Sequence, residues 1–273
     1  MDYIDQFLKE DLGEGDITSD ALFTDEKGKG CVYLKESAVL AGLAEAKQVF
    51  ERVGCKVKLL GREGSKAQKG ARVLEVSGPI RSILEAERLA LNFLARMSGI
   101  ATQTRQMLKK CKRVNPSVTV TGTRKTTPGF RKWEKRAIVV GGGDPHRMGL
   151  WDAVLIKDNH LTAMSIEEAI KRVKAKVKDR PIEIEVACLK DAEIAAKLGV
   201  DVIMLDNLPP SEGKKITETI RKIDPEILIE VSGGINPRNI AGYASYPDRI
   251  SCGCLTHSVN SIDFSLEIAK NRR

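Results

Sequence analysis

Short apolar runs recur through the second half of the chain, and each is followed by residues suited to binding or chemistry. The runs, with the residues that end them, are VTVTGTRK with Arg124 and Lys125, AVLIK with Lys157, IEIEV with Glu185, VIMLD with Asp206, ILIEVSGG with Ser232, Gly233 and Gly234, and RISCGC with Gly253. Helical patterns separate them at 165–177, 189–198, 211–223 and 237–244. Strands that alternate with helices predict a parallel sheet, and this short repeat favours a closed or nearly closed barrel.

The polar residues at the ends of these runs are expected to meet in one place. In an α/β barrel the loops that follow the strands converge around one axis, at the carboxyl ends of the strands. Arginine, lysine, acids and glycines from different strands would therefore line a single pocket. The pattern predicts an enzyme.

The first half of the chain has a different pattern. The predicted elements are a short amphipathic helix at 2–10, strands at 30–35, 56–60 and 72–76, and a helix at 43–53. They indicate a small α/β sandwich. A long helix follows at 80–97, and a second helix at 101–111, with Ser98 and Gly99 interrupting between them. We expect a sandwich domain over 1–100 and a barrel domain over 101–273, whose last helix packs back on the sandwich.

Charge and composition narrow the class of ligand. The formal net charge of +8 raises the question of nucleic acid, but aromatic residues make up only 4% and leave few stacking platforms. The basic excess is local, because seven Lys or Arg residues lie between positions 121 and 150 beside two acids. This density suits a small polyanionic substrate. We expect neither nucleic acid nor a membrane as a partner, since no apolar run approaches the ~18 residues that span a bilayer.

The cysteines and the first residues bear on location. The six cysteines form no CxxC pair and have no histidine at metal-ligand spacing, so reduced thiols are expected. The sequence MDYIDQFLKEDLGEGD is acidic and lacks the regions of a signal peptide. A cytoplasmic protein is the expectation.

Lys157 has two interpretations. A lysine at the end of a barrel strand forms a Schiff base with a carbonyl substrate if its pKa is depressed. Alternatively, it donates a charge-assisted hydrogen bond to a substrate hydroxyl or phosphate. Acids on neighbouring strands, Glu185 and Asp206, favour the second interpretation.

Two further features indicate a phosphorylated sugar as a ligand. Glu185 and Asp206 suit a divalent metal or the hydroxyls of a ribose, although two carboxylates also perform glycosidase chemistry. The Ser232–Gly234 turn precedes a helix predicted from Asn236, and a late glycine-rich loop of a barrel commonly holds phosphate. Alternatively, the turn only connects the strand to the helix and binds no ligand. Cys252 and Cys254 alternate within a strand, so at most one faces the site.

Longer motifs make the chain resemble quinolinate phosphoribosyltransferase (nicotinate-nucleotide pyrophosphorylase, carboxylating). They are EDLGEGDITS, AERLALNFLARMSGIAT, TRKTTPGFRKWEKRA, VGGGDPHRMGLWDAVLIKDNH, IEIEV, IMLDN, EVSGGI and ISCGCLTHS. The resemblance implies an amino-terminal α/β sandwich and an open, incomplete α/β barrel of the TIM type. It also implies transfer of phosphoribosyl from phosphoribosyl pyrophosphate to quinolinate with decarboxylation, in NAD biosynthesis, with Mg²⁺.

The resemblance implies residue roles as well. The quinolinate-binding set comprises Arg88, Arg124, Lys125, His146 and Arg147, adjoined by Thr123. Lys157, Glu185 and Asp206 correspond to the catalytic residues around the ribose, pyrophosphate and metal, with the two acids near Mg²⁺. The phosphate-binding loops are Ser232, Gly233 and Gly234, and Cys252, Gly253 and Cys254. In the family, the residue matching Arg88 reaches into the neighbouring subunit, which implies a homodimer or higher homo-oligomer with shared sites.

One departure and three alternatives remain. After IEIEV this chain has Ala187 where family members often have another acid, so altered surroundings of Glu185 are expected. The alternatives are a related barrel phosphoribosyltransferase acting on another pyridine or pyrimidine acid, a Schiff-base aldolase using Lys157, and a basic RNA-binding protein.

Overall fold

The structure, a computed structural model, describes residues 2–269. These residues form two compact units. The first contains the residues up to Thr102 together with those from Val259 onward, and the second is Gln103–Ser258. The boundary lies two residues beyond the predicted position 100. Residues 259–269 belong to the first unit rather than to the barrel, in agreement with the prediction that the last element packs back on the sandwich.

The first unit is built around an antiparallel sheet. Its elements are α1 (Tyr3–Leu12), α2 (Ile17–Leu22), β1 (Lys27–Leu34), β2 (Ala38–Val39), α3 (Leu43–Arg52), β3 (Lys56–Leu59), β4 (Lys66–Ala67), β5 (Arg72–Pro79), the first part of α4 (Ile80–Lys112) and, late in the chain, β12 (Phe264–Ile268). The strand order in the sheet is β12-β1-β5-β3. Val32 and Leu74 face each other across β1 and β5 and are fully buried, so the sheet and its helices enclose an apolar core.

The last element was predicted as a helix, and that prediction is wrong. Residues Phe264–Ile268 form β12, which pairs antiparallel with β1. The sequence FSLEI alternates apolar and polar residues, which is the period of a strand with one buried face. Residues 270–273 lie outside the described part of the chain.

The predicted break at Ser98 and Gly99 is also absent from the described helix, because α4 runs without interruption from Ile80 to Lys112. A β-carbon on Gly99 would clash with the backbone carbonyl of Asn260 in the same unit. The glycine therefore allows a close approach between backbones. Ser98 is fully buried, and its hydroxyl accepts a hydrogen bond from the backbone N–H of Ala41 and donates one to the carbonyl of the same residue.

The second unit is a parallel sheet with connecting helices. Its elements after α4 are β6 (Thr119–Thr121), α5 (Arg131–Gly141), β7 (Val154–Ile156), α6 (Asp158–Leu161), α7 (Ile166–Lys176), β8 (Ile182–Val186), α8 (Leu189–Lys197), β9 (Val202–Asp206), α9 (Pro210–Ile223), β10 (Leu228–Ser232), α10 (Ile240–Tyr243), β11 (Arg249–Ser251) and α11 (Cys254–His257). The strand order is β6-β11-β10-β9-β8-β7, with parallel ladders throughout the sheet. Within the described residues, β6 and β7 form its two ends. The open α/β barrel implied by the resemblance is thereby confirmed.

The helix predicted at 237–244 is shorter than expected, since α10 spans only Ile240–Tyr243. The side chain of Asn239 accepts a hydrogen bond from the backbone N–H of Asn236, and that of Asn236 accepts one from Arg238. Such local bonds offer the backbone an alternative to helix. Because the described helix starts at Ile240, the predicted helix start at Asn236 is wrong and gives no support for phosphate binding there. Among the described helices, none has the length and apolar character to cross a membrane.

Candidate functional site

Two basic loops lie at the carboxyl edge of the sheet. The first basic loop, residues 123–127, follows β6. The second basic loop, residues 144–148, precedes β7 in the chain, but it begins at Asp144, which bridges Thr121 at the carboxyl end of β6. Arg147 is 8% exposed, and its Nη1 donates to the carbonyl of Ala153 at 3.1 Å. Burial, and next the nearby charge of Arg124, lower the pKa of Arg147, while Glu183 and Glu185 act in the opposite direction. Because the charges of the two arginines act against each other, an anion between them would stabilise both.

Arg124 and Lys125 occupy different environments within the first basic loop. The Nε of Arg124 is buried and makes no hydrogen bond to any described residue. A buried donor without a partner costs stability unless a ligand satisfies it. Lys125 is exposed, and its backbone N–H donates to Oγ1 of Thr123 at 3.1 Å. Thr123 therefore shapes the turn that presents the two basic residues.

His146 has a backbone donor at one ring nitrogen and two buried carboxylates near the other, although Nε2 makes no hydrogen bond of good geometry to a described residue. Its Nδ1 accepts the backbone N–H of Arg147 at 2.7 Å, and its Nε2 lies 3.2 Å from Glu183 and 3.5 Å from Glu230. Burial lowers the pKa of His146, but the two carboxylates outweigh it and raise the pKa to about 9. The N–H donated to Nδ1 favours the neutral ring and opposes that rise. We take from both that Nε2 carries a hydrogen facing the carboxylates.

Glu183 and Glu230 were missed by the sequence analysis. Glu183 on β8 is 4% exposed and Glu230 on β10 is fully buried, where its Oε1 accepts a hydrogen bond from the hydroxyl of Ser251. Burial raises the pKa of Glu183. The sequence did contain a signal, since each acid lies within an apolar strand. An acid is rarely buried in such a strand without a partner.

The same three side chains carry ligand atoms within 4.8 Å of one another, which could suit a small metal ion. Positive charge is already present, however. Arg249 lies 3.9 Å from Glu230, and Arg147 interacts electrostatically with Glu183. An additional cation would be repelled, so a charge-balanced cluster around His146 is the better interpretation.

The basic residues of α5 do not all belong to the mouth of the site, as their density in the sequence had suggested. Lys135 is 1% exposed, and its Nζ donates to the carbonyl of Pro145. Burial, followed by the charges of Arg131 and Arg124, lowers its pKa to about 8, against the raising effect of Asp144 and Asp152. Lys135 is therefore a buried residue that holds the second basic loop through this hydrogen bond.

Lys157 and Glu185 form an ion pair at the ends of β7 and β8. The Nζ of Lys157 lies 2.6 Å from Oε1 of Glu185. A Schiff-base lysine reacts as a neutral amine, whereas this amine is engaged by a carboxylate. The pair favours the hydrogen-bonding interpretation of Lys157 over the aldolase.

Asp206 and the glycine-rich turn are joined by strand register. Asp206 on β9 is the register partner of Ser232 on β10. The next residue, Asn207, has a positive φ of 56°, donates its backbone N–H to the carbonyl of Ser232 at 2.9 Å and its side-chain amide to Asp206 at 2.6 Å. Gly233 has a φ of 96°, and a β-carbon there would overlap Asn207. The turn is therefore built with its backbone against the Asp206 loop, and Gly234 beside it also has a positive φ.

The loop after β11 adjoins the first basic loop. Gly253 lies against the side chain of Lys125, and the hydroxyl of Thr256 donates to the Lys125 carbonyl at 2.7 Å. Cys252 is fully buried, whereas Cys254 is partly exposed and directs its Sγ to the carbonyl of Ile235 at 3.5 Å. The prediction that both cysteines lie in a strand is wrong, because β11 ends at Ser251 and Cys254 begins α11. Their different exposure follows from this change of structure, since residues two apart in a strand would share a face.

Arg88 lies in the part of α4 that belongs to the first unit and is exposed. It makes no hydrogen bond or ion pair with any described residue, and Glu85 instead pairs with Arg81 at 2.9 Å. An intrahelical ion pair with Glu85 therefore does not account for Arg88.

Models of two protein domains match nearly the whole chain. The quinolinate phosphoribosyl transferase N-terminal domain matches residues 16–98, and the C-terminal domain matches residues 100–267. A probable nicotinate-nucleotide pyrophosphorylase [carboxylating] of Methanocaldococcus jannaschii is 44% identical over 270 residues, covering 96% of this chain and 95% of that protein. The human nicotinate-nucleotide pyrophosphorylase [carboxylating] is 36% identical, covering 97% and 90%.

Solved structures give the same result. The nicotinate-nucleotide pyrophosphorylase of Francisella tularensis superposes with a TM-score of 0.92 at 34% identity, covering 97% of this chain and 94% of that one. Human nicotinic acid phosphoribosyltransferase, at a TM-score of 0.58 and 14% identity over 100% of this chain and 75% of that one, shares the fold alone. With both domain models matched and relatives above one-third identity along its length, the chain belongs to the quinolinate phosphoribosyltransferase family.

Proposed function

We infer that the protein transfers the phosphoribosyl group of phosphoribosyl pyrophosphate to quinolinate, releasing pyrophosphate and carbon dioxide and forming nicotinate mononucleotide. Family membership supports the reaction. The observation that carries the choice of substrate is the neighbouring pair Arg124 and Arg147, with the Nε of Arg124 buried and unsatisfied by any described residue. Two arginines match two carboxylates, since each guanidinium can bind one bidentately. A monocarboxylate would leave one arginine without a counter-charge.

The basic loops supply orientation. Quinolinate held by both carboxylates presents its ring nitrogen in one direction, toward the anomeric carbon of the ribose. The nitrogen–carbon bond forms as the bond from that carbon to pyrophosphate breaks, and the pyridine ring becomes cationic. The cationic ring then accepts the electron pair from the adjacent carbon–carboxylate bond, carbon dioxide leaves, and a proton takes its place.

The opposite edge of the site suits the sugar and its phosphates. Lys157 is placed to interact with the departing pyrophosphate, and Glu185 and Asp206 with the ribose hydroxyls. The Ser232–Gly234 turn and Gly253 bring backbone close to a phosphate with little steric hindrance. The buried Glu183 and Glu230 are not assigned a contact with substrate.

Mg²⁺ fits the carboxylates at this edge. Magnesium prefers oxygen ligands and is commonly bound by one or two carboxylates together with substrate phosphates and water. Glu185 and Asp206 end adjacent strands and provide such oxygens, and the contact with Lys157 involves only Oε1 of Glu185. Mg²⁺ held there would supply positive charge for the pyrophosphate oxygens.

The reaction is tested by incubating the purified protein with quinolinate, phosphoribosyl pyrophosphate and Mg²⁺. Nicotinate mononucleotide and carbon dioxide should form in equal amounts. Nicotinate assayed in parallel should give little product. Turnover of nicotinate without carbon dioxide would instead identify a related transferase for another pyridine acid.

We further propose a homodimer or larger homo-oligomer in which Arg88 contacts quinolinate in the neighbouring subunit. Two observations support this role: Arg88 is exposed, and it makes no hydrogen bond or ion pair with a described residue. Arg88→Ala and Lys157→Ala variants, each nearly inactive, should regain part of the activity when co-expressed as mixed oligomers. Mixed oligomers that assemble but stay inactive would place Arg88 in the site of its own subunit.

The location follows from the function. Synthesis of a pyridine nucleotide for NAD from small phosphorylated precursors is chemistry of the cytoplasm, and we propose that compartment. Fractionation with a cytoplasmic marker enzyme tests it.

A further inference from the structure

Helix α5 presents three charged side chains to the two basic loops, and the reaction proposed above uses none of them. Arg131, Glu134 and Lys135 are spaced three and four residues apart, so they share one face of the helix. Glu134 is fully buried and Lys135 is 1% exposed, whereas the neighbouring Lys132 is exposed. Burial of charged groups on one face requires specific partners.

Those partners are the two basic loops. Glu134 accepts hydrogen bonds from the backbone N–H of Thr127 at 3.0 Å and from its hydroxyl at 2.9 Å. These bonds hold the end of the first basic loop. Lys135 donates to the carbonyl of Pro145, next to His146 in the second basic loop. Each loop thus has one anchor of its own.

Arg131 differs from these anchors because it binds both loops. Its Nε donates to the hydroxyl of Thr126 at 2.9 Å, and its Nη1 donates to the carbonyl of Met148 at 3.1 Å. Thr126 is bonded in turn through its backbone N–H to the carbonyl of Arg124 at 2.9 Å, and Met148 adjoins Arg147. One rigid guanidinium therefore lies between the backbone segments that carry the two substrate-binding arginines.

We propose that Arg131 is a positioning residue that fixes the spacing of Arg124 and Arg147, and thereby sets the selectivity for a dicarboxylate. The inference rests on the proposed function, since the two arginines are taken to bind the two carboxylates of quinolinate. Only a planar, multidentate donor serves both loops at once. Lysine carries the same charge but presents a single point donor.

A positioning role for Arg131 differs in its consequences from a role in which Arg131 only attracts anions through its charge. If Arg131 acted only through its charge, Arg131→Lys would preserve function and Lys132→Ala would impair it about as much as Arg131→Ala. Lys132 is the matched control, because it has the same charge, lies one residue away and is exposed, with its Nζ 5.8 Å from the ring centroid of Trp133.

The test measures KM for quinolinate, KM for phosphoribosyl pyrophosphate and kcat. Arg131→Lys and Arg131→Ala should each raise the KM for quinolinate by about tenfold or more, the effect of losing a charged hydrogen bond. The KM for phosphoribosyl pyrophosphate should stay within about twofold of the unmodified protein. Lys132→Ala should leave both constants nearly unchanged. A normal KM for quinolinate in Arg131→Lys, or equal increases for both substrates, would overturn the proposal.

Thr126→Val gives a second approach if the arginine variants fold poorly. It removes the hydroxyl that Arg131 binds, and it should raise the KM for quinolinate selectively and add little in an Arg131→Lys background. Fully additive effects would refute the shared contact.

Hydrogen exchange of the backbone amides tests the positioning role of Arg131 independently of catalysis. In Arg131→Lys, amides of both basic loops should exchange faster than in Lys132→Ala, with or without substrate. If the unmodified protein makes no product but this exchange pattern appears, the proposed function fails and the positioning role stands. Unchanged exchange in both loops refutes the positioning role whatever the activity.

Discussion

The two edges of the site are built in different ways. At the basic edge, Arg124 and Arg147 lie in loops, and side chains of α5 hold those loops in place. At the opposite edge, Asp206 and Ser232 are strand residues paired in register, and the turn that follows packs backbone against backbone. One edge depends on long charged side chains, and the other on the ladder of the sheet.

The difference indicates where each edge is vulnerable. Loop anchors can be removed one at a time without disturbing the sheet, so the basic edge should lose binding before it loses stability. The register of parallel strands is specified by the whole buried ladder, so single substitutions there should change chemistry or local strain while the strand positions persist.

Removing the side chain of Arg147 at the basic edge should have the largest effect. Arg147→Ala should weaken quinolinate binding by ~2–5 kcal/mol, because it leaves a substrate carboxylate without its charged partner. Binding of phosphoribosyl pyrophosphate, which we propose to occur at the other edge, should be affected less. Isothermal titration with each substrate measures this. An equal loss for both would mean that the two edges are not separate.

At the opposite edge, Asp206→Asn keeps the shape of the side chain and removes its charge. Turnover should fall by about 10–100-fold, or ~1.4–2.7 kcal/mol, and the Mg²⁺ concentration for half-maximal rate should rise. The melting temperature should stay near that of the unmodified protein. Normal turnover at low Mg²⁺ would remove Asp206 from the metal site.

The turn beside Asp206 is expected to be strained by a single methyl group. Gly233→Ala should cost about 1–2 kcal/mol of unfolding free energy for the left-handed backbone, with a further cost from overlap with Asn207. Gly234→Ala, which also has a positive φ but open space around it, is the control for backbone strain alone. Equal losses in urea denaturation would show that the contact with Asn207 is unimportant.

The smallest predicted effect concerns an anchor of the basic edge and is seen through pH. The pKa of Lys135 is lowered by burial to about 8, below the 10.5 of an ordinary lysine. Between these values the unfolded chain binds a proton that the folded protein lacks, so the stability contributed by Lys135 rises with pH.

Relative to Lys135→Met, the unfolding free energy of the unmodified protein should therefore increase, by on the order of 1 kcal/mol, from pH 7.5 to pH 9. Urea denaturation across that range measures the difference, with Lys132→Met as the control. A flat difference would mean that Lys135 stays charged in the folded protein.

The sequence predicted one edge of the site more completely than the other. Strand-end residues such as Glu185 and Asp206 were located because a buried parallel strand reads as an apolar run and its end is visible. The basic loops were located through their charge. Their anchors were not separated from them, because Lys135 and Lys132 look alike in sequence and differ only in burial.

The errors in the fold have a common cause in long-range contacts. Gly99 reads locally as a helix break, and only the backbone of Asn260 explains it. The residues of β12 were predicted as a helix because their partner, β1, lies more than 200 residues earlier in the chain. Local pattern cannot report a neighbour that arrives from so far away.

The late strand β12 also dictates an order of events during synthesis. The second unit is one continuous stretch, whereas the sheet of the first unit gains its edge strand only when residues 264–268 have been made. A nascent chain halted before residue 259 therefore has an unpaired β1 edge, open to other chains, while its barrel is already complete in sequence. Stalled chains of that length should show a protease-resistant barrel and a protease-sensitive first unit, so the part of the protein translated first is the part that finishes folding last.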